Sequence, residues 1–203
     1  MNKYGARFKY SKFLNIIDQS NEAITSNITT VQMRRDLRAV LNTFAEYSIG
    51  FGNKFHIRSM DGYNIKSSAF KIAGLNNDVY ISDIPNTNRV DGSLFLFTLP
   101  TPSSTDPTIV RRNVGVINYE NGIITLNPIN VLSGKVKDGQ SIIELSACPS
   151  SNDVIGLQDL YLQLDISTSN FETVVDEISS GLDPAASDYV VTSSYANGNL
   201  VRS

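Results

Sequence analysis

Residues 114–126 read Val-Gly-Val-Ile-Asn-Tyr-Glu-Asn-Gly-Ile-Ile-Thr-Leu, two apolar runs joined by Tyr119, Glu120, Asn121 and Gly122. Asn and Gly tolerate the positive φ of a tight hairpin, so the stretch predicts two antiparallel strands around a turn. The same grammar, short apolar alternations broken by turn residues, extends from Gly52 almost to the end of the chain. It predicts strands over 54–58, 67–72, 79–82, 93–98, 110–118, 122–127, 141–148 and 160–166. Asp61-Gly62, Asp91-Gly92 and Asp138-Gly139 supply turns between them. Within 93–98 the run Leu94, Phe95, Leu96, Phe97 has no polar side. It predicts a strand covered on both faces, within the fold or under another subunit.

Upstream of Gly52 the spacing changes. Met33, Leu37, Val40, Leu41 and Phe44 fall at helical intervals among Arg34, Arg35, Asp36 and Arg38, which predicts an amphipathic helix over 31–44. Thr29 and Gln32 have the spacing of a capping box, with Thr30 an alternative N-cap, and Ser48 to Gly52 supplies a stop. A shorter helix is expected over 12–17, where Phe13, Ile16 and Ile17 lie three and four apart. The expected class is α+β, mainly antiparallel β with one or two amino-terminal helices. Three regions follow: a helical amino-terminal segment 1–52, a β-rich domain 53–178 and a polar carboxy-terminal tail 179–203. Tyr189, Val190, Val191 and Thr192 have strand character in that tail, which reads either as loose or as an extended strand laid on a neighbour.

The 203 residues suit one large domain or two small ones. With 41% hydrophobic and 18% charged residues the chain is neither disordered nor a coiled coil. A formal charge of -3 offers no positive field, so nucleic acid is not an expected partner. One cysteine, Cys148, forbids an internal disulfide, and one histidine, His56, rules out a Cys/His metal cluster within the chain. No cofactor is expected. No apolar run approaches the roughly 18 residues that cross a bilayer, and no signal-peptide core is present, so a soluble, cytoplasmic protein without a membrane partner is expected.

The search for chemistry leaves little. Ser68 and Lys71 have the Ser-x-x-Lys spacing of some acyl-transferring enzymes, but that mechanism wants one helical turn and 67–72 alternates as a strand. His56 has no partner that sequence can identify, and Cys148 before Pro149 reads as a packed thiol. Asp83, Asn86, Asn88 and Asp91 offer hard oxygen ligands, yet fit no calcium loop and are expected to make a turn. Gly50 and Gly52 read as a helix stop, Arg34, Arg35, Arg38, Arg111 and Arg112 as solvated or ion-paired faces. What remains is surface for association. Met33, Leu37, Leu41 and Phe44 on the expected helix, with Phe95 and Phe97 on the apolar strand, are the candidate interface residues.

The order of several short motifs is recognisable. Tyr10-Ser11-Lys12-Phe13 through Ile16-Ile17-Asp18, then Ala23 to Asn27 and Val31 to Asp36, resembles a stretch of the large baseplate wedge subunit of contractile-tailed bacteriophages, the baseplate J-like family. Ser67 to Phe70 with Gly74, Val79 to Asp83, Gly115 to Tyr119 with the Asn121-Gly122-Ile123 turn, and Ala147 to Ser150 leading to Asp153-Val154 resemble the carboxy-terminal half of that family. The resemblance spans roughly Tyr10 to Ile166. Family members are longer than this chain, so the resemblance implies their carboxy-terminal part alone, as an expressed fragment or a split gene product.

The resemblance implies a structural role without catalysis. Such subunits associate with themselves and with other wedge proteins to close a ring around the tail hub, in a virion assembled in the host cytoplasm. A homodimer is expected for the isolated chain, because a ring needs two patches per subunit and a part of the protein can keep one. The alternative is a carbohydrate- or receptor-binding β module of a tail fibre or adhesin, with Tyr80, Tyr119 and Tyr161 as available aromatics.

Overall fold

The computed structural model describes residues 7–101, 104–157, 159–162, 169–170, 172–173, 195–196 and 199–200. Its elements, in chain order, are β1 (Arg7–Phe8), α1 (Tyr10–Asp18), β2 (Met33–Arg38), β3 (Phe44–Gly50), β4 (Ile65–Ser67), β5 (Lys71–Ile72), β6 (Tyr80–Pro85), β7 (Asp91–Thr98), β8 (Thr108–Asn118), β9 (Ile123–Ser133), β10 (Lys135–Lys137), β11 (Gln140–Ala147), β12 (Val154–Ile155), β13 (Leu160–Tyr161), β14 (Tyr195–Ala196) and β15 (Asn199–Leu200). Every named strand pairing is antiparallel. The protein is mainly β, with one short helix among the described residues.

Two units are distinguished, Met1–Gln163 and Leu164–Ser203. In the second, β14 and β15 pair with Tyr195 opposite Leu200. The first holds the two-stranded pair of β1 with β12 and two larger sheets. One runs β10-β11-β2-β13, with β4 also on β11; the other runs β3-β9-β8-β7-β6, with β5 also on β9. Met33, Leu37, Ile143 and Leu145 of the first sheet share one core with Ile49, Leu94, Leu96, Ile117, Ile124 and Leu126 of the second. The hairpin expected around Asn121-Gly122 joins β8 to β9, with Asn118 opposite Ile123 and Ile117 opposite Ile124. Gly122 has φ 64°, and a Cβ there would collide with the Asn53 carbonyl, so the site needs both the conformation and the absence of a side chain.

The sheets meet along β4 and β6 without a backbone ladder. Side chains join them instead. Ser67 Oγ accepts from the Ile81 amide at 2.8 Å, Ser82 Oγ donates to the Ile65 carbonyl at 2.8 Å, and Asp83 Oδ1 accepts from the amides of Asn64 and Ile65, each at 2.8 Å. Each bond satisfies a backbone group that would otherwise be buried unpaired at a sheet edge.

The expected helix over 31–44 does not form. β2 pairs with β11 over six residues and the chain then turns through Asn42, at φ 58°, into β3 of the other sheet. Val31, Met33 and Leu37 alternate inward as a strand requires, and Arg35 takes the inward position between the last two. Its guanidinium donates to the Gly50 carbonyl, which makes a polar side chain tolerable there. Thr29 caps nothing; its hydroxyl donates to Asn27 Oδ1 and its carbonyl accepts from the Tyr10 hydroxyl at 2.6 Å. Residues 1–52 therefore contribute α1 together with a strand to each sheet, rather than a helical segment.

α1 covers the shorter expected helix and extends it at both ends. Lys9 provides no side-chain cap, and the Tyr10 amide donates to Asp153 Oδ1 at 2.9 Å instead. None of its residues is fully buried. The strand expected over 54–58 contributes only the bridge Phe55 to Pro149, and 67–72 divides into β4 and β5. Of 160–166, Leu160 and Tyr161 form β13; residues 163–166 and the strand-like Tyr189 to Thr192 lie outside the described residues.

Candidate functional site

The six residues expected at an interface separate into two groups. Met33 and Leu37 are buried in the shared core, as β2 alternation demands. Phe95 is buried too, but outside that core. With Leu94 and Leu96 facing inward, Phe95 and Phe97 fall on the opposite side of β7, where Tyr63 packs edge-on against both at 5.2 and 5.5 Å between ring centroids. Tyr80 stacks on Phe97 at 5.3 Å. The apolar strand is thus covered on its second face by its own chain. Leu41 and Phe44, by contrast, are 39% and 70% exposed.

These two belong to an apolar corner that the register assembles. Phe44 lies opposite Asn130, and the Asn42 amide donates to Val131, next to Leu132. The Ala39 amide donates to Ser141, whose β10 partner is Val136. Val40, Leu41, Phe44, Leu132 and Val136 are all exposed, Val136 by 75%. Exposed apolar side chains scattered singly need no explanation, whereas several near one another make a candidate contact surface. Sequence reasoning reached Leu41 and Phe44 through a wrong helix and missed Leu132 and Val136, whose neighbours become visible only through strand pairing.

A charged surface lies on the outer side of β2. Asp36 is bridged by Arg34 at 3.2 Å and Lys137 at 2.7 Å; Glu144 is bridged by Lys135 at 3.0 Å and Arg34 at 3.6 Å. The Tyr161 ring has Arg34 at 5.1 Å and Lys137 at 4.8 Å from its centroid. The hydrogen bond to the Asp36 carboxylate raises the Lys137 ammonium above its ordinary value. Beside these groups a cleft of about 550 Å³ runs between Asp36 to Arg38 of β2 and Ser48 and Ile49 of β3.

Most of the remaining candidates are engaged in structure. Ser68 Oγ accepts from the Glu144 amide at 3.0 Å, and Lys71 sits on β5. His56 is exposed; Cys148 is half-buried and its sulfur accepts from Arg58 at 3.2 Å. Asn86, Asn88 and Asp91 bond among themselves in the β6-β7 turn, while Asp83 points into the protein. Among the described residues no group of three or more His, Cys, Asp or Glu is placed to hold a metal ion. No helix there is long and apolar enough to cross a membrane. Of the aromatics considered for sugar binding, Tyr119 is buried and Tyr161 has two cations over its ring.

Residues 1–36 match the family model described as baseplate structural protein gp6, C-terminal domain III. No curated protein and no solved structure matches the chain. The matched stretch carries α1 and runs into β2, so the likeness to a bacteriophage baseplate structural protein resides in the part of the chain that leads into the first sheet.

Proposed function

We propose, from this likeness to a baseplate structural protein, that the chain is a structural subunit of a bacteriophage baseplate wedge. In this reading it self-associates and binds other wedge proteins, acts without catalysis, and resides in the tail baseplate after assembly in the host cytoplasm. The amino-terminal family match is the observation that carries it. The apolar corner of Val40, Leu41, Phe44, Leu132 and Val136 supports it, because burying such a surface at about 25 cal/mol per Å² is the ordinary driving force of a subunit contact.

The test is solution mass by light scattering across a dilution series, with and without candidate wedge proteins. A concentration-dependent dimer or larger species that recruits a wedge protein is expected. A strict monomer that ignores every wedge protein overturns the reading, and glycan screening then becomes the next experiment.

A further inference from the structure

The two larger sheets turn different surfaces outward. On the first, Arg34, Asp36, Glu144, Lys135 and Lys137 pair with one another across β2, β10 and β11. On the second, Leu94, Ile117 and Ile124 face the core, and the residues alternating with them face away. Ser48 lies opposite Thr125, Thr125 opposite Val116, Val116 opposite Ser93 and Ser93 opposite Ile84, a row across β3, β9, β8, β7 and β6 without a charged residue. The neighbouring row sets Ile123 opposite Asn118 and meets a charge at Asp91, whose carboxylate accepts from the side-chain amides of Asn86 and Asn88.

Val116 is the middle residue of the uncharged row on the middle strand, and it is 58% exposed. Tyr63 covers this face over Phe95 and Phe97 but leaves Val116 and Ile123 open. A surface cleared of charge at its centre, with aromatic residues beside it, has the composition of an interface core. Five strands at about 4.8 Å and the eight residues of β7 at about 3.4 Å give a face of about 24 by 27 Å. That is on the order of 650 Å², near the roughly 800 Å² that each partner of a stable interface buries.

Charge selects the occupant. A face with no charge to satisfy is matched by another such face, and this chain carries one. The outer side of the first sheet is no match, because packing against it would strip water from its ion pairs. We propose that the outer face of the second sheet packs on the same face of a second copy, about a two-fold axis near Val116, as two sheets stack about 10 Å apart. The proposal rests on the self-associating role above and adds a contact distinct from the apolar corner. A ring needs two contacts per subunit, and one two-fold contact supplies only the first.

The experiment is sedimentation equilibrium of the full-length protein, as wild type and as a Phe44→Asp parent in which the apolar corner is silenced. Val116→Asp, Val116→Lys and Thr125→Asp are each added to that parent, with Lys66→Glu, exposed on the first sheet, as control. Circular dichroism reports folding, and Thr125→Asp carries the test should the Val116 variants unfold. Two-fold packing brings like charges together, so each face variant alone is expected to associate at least about tenfold more weakly than the parent, and Lys66→Glu as the parent does. An equimolar mixture of the Val116→Asp and Val116→Lys proteins is expected to associate at least about tenfold more tightly than either alone, since opposite charges then meet across the axis. A monomeric parent, face variants that associate as the parent does, or a mixture no tighter than its components overturns the proposal and leaves the structural role standing. Parent-like self-association in Val116→Asp with loss of a wedge protein also overturns it and gives the face to that protein. A wild-type chain that neither self-associates nor recruits a wedge protein overturns the role itself.

Discussion

The Tyr119 hydroxyl donates a hydrogen bond to Oδ2 of Asp83, joining the turn after β8 to the middle of β6 inside the protein. Both side chains are buried, at 1% and 0% exposure. The carboxylate also accepts from the Asn64 amide, the Ile65 amide and Asn64 Nδ2, so a charge without solvent is met by four donors. Burial of a charge is tolerated on those terms alone.

Tyr119→Phe deletes one of these donors and keeps the ring. A loss of about 1.5–3 kcal/mol is expected, the range for a hydrogen bond to a charged group, read as a lower urea midpoint. Asp83→Ala is expected to cost more, since it leaves the Asn64 and Ile65 amides unpaired at a sheet junction. Equal midpoints for wild type and Tyr119→Phe would remove the network from the account of stability.

Alkali should act through the same pair. Burial chiefly, then the Asp83 charge and the bond to it, hold the Tyr119 phenol well above its ordinary value of about 10. The folded state thus keeps a proton that the unfolded chain releases. Stability from this group is complete below about pH 10 and declines as pH rises further. Urea midpoints measured between neutral pH and strong alkali should fall less steeply in Tyr119→Phe than in wild type; parallel curves would contradict this.

Leu37 and Phe44 were one surface in the sequence and are two environments in the fold. Leu37→Asp places an unpaired carboxylate in the shared core and is expected to abolish folding, seen as loss of the cooperative thermal transition. Phe44→Asp changes a side chain that is 70% exposed, with a stability effect within about 0.5 kcal/mol. It is expected to weaken self-association instead. A Phe44→Asp protein that unfolds, or associates as wild type does, would remove the corner from the contact.

Gly122→Ala is expected to destabilise by more than about 1 kcal/mol, because the added carbon meets both the unfavourable φ and the Asn53 carbonyl. Gly139→Ala is the comparison, since that glycine has φ 74° but open space around it. The difference between the two in thermal unfolding isolates the close approach from the backbone conformation.

The β grammar was legible wherever period two was unbroken. Asn121-Gly122 between apolar runs gave the hairpin, and Leu94 to Phe97 correctly required cover on both faces, here supplied by the core and by Tyr63. The stretch from Val31 failed because of one residue. Arg35 occupies an inward strand position, so the alternation Val31, Met33, Leu37 lost its middle member and left an i, i+4 spacing that mimics a helix. The apolar corner was half legible for a related reason: Leu41 and Phe44 are close in sequence, whereas Leu132 and Val136 join them only through pairings that span the chain. The charged surface was hidden similarly, since Asp36 meets Lys137 across a separation of 101 residues.

The side-chain junction between β4 and β6 also sets how the protein would bear a pull. Along β8 and β9 the ladder bonds lie side by side and share a load applied in shear. At the junction Ser67, Ser82 and Asp83 each carry a separate side-chain link with no ladder to share the load, so tension across it is expected to break them one after another. The line between these two strands, which no ladder joins, is therefore weaker under force than the hairpin, and a single-molecule stretch across it should yield at lower force than one along β8 and β9.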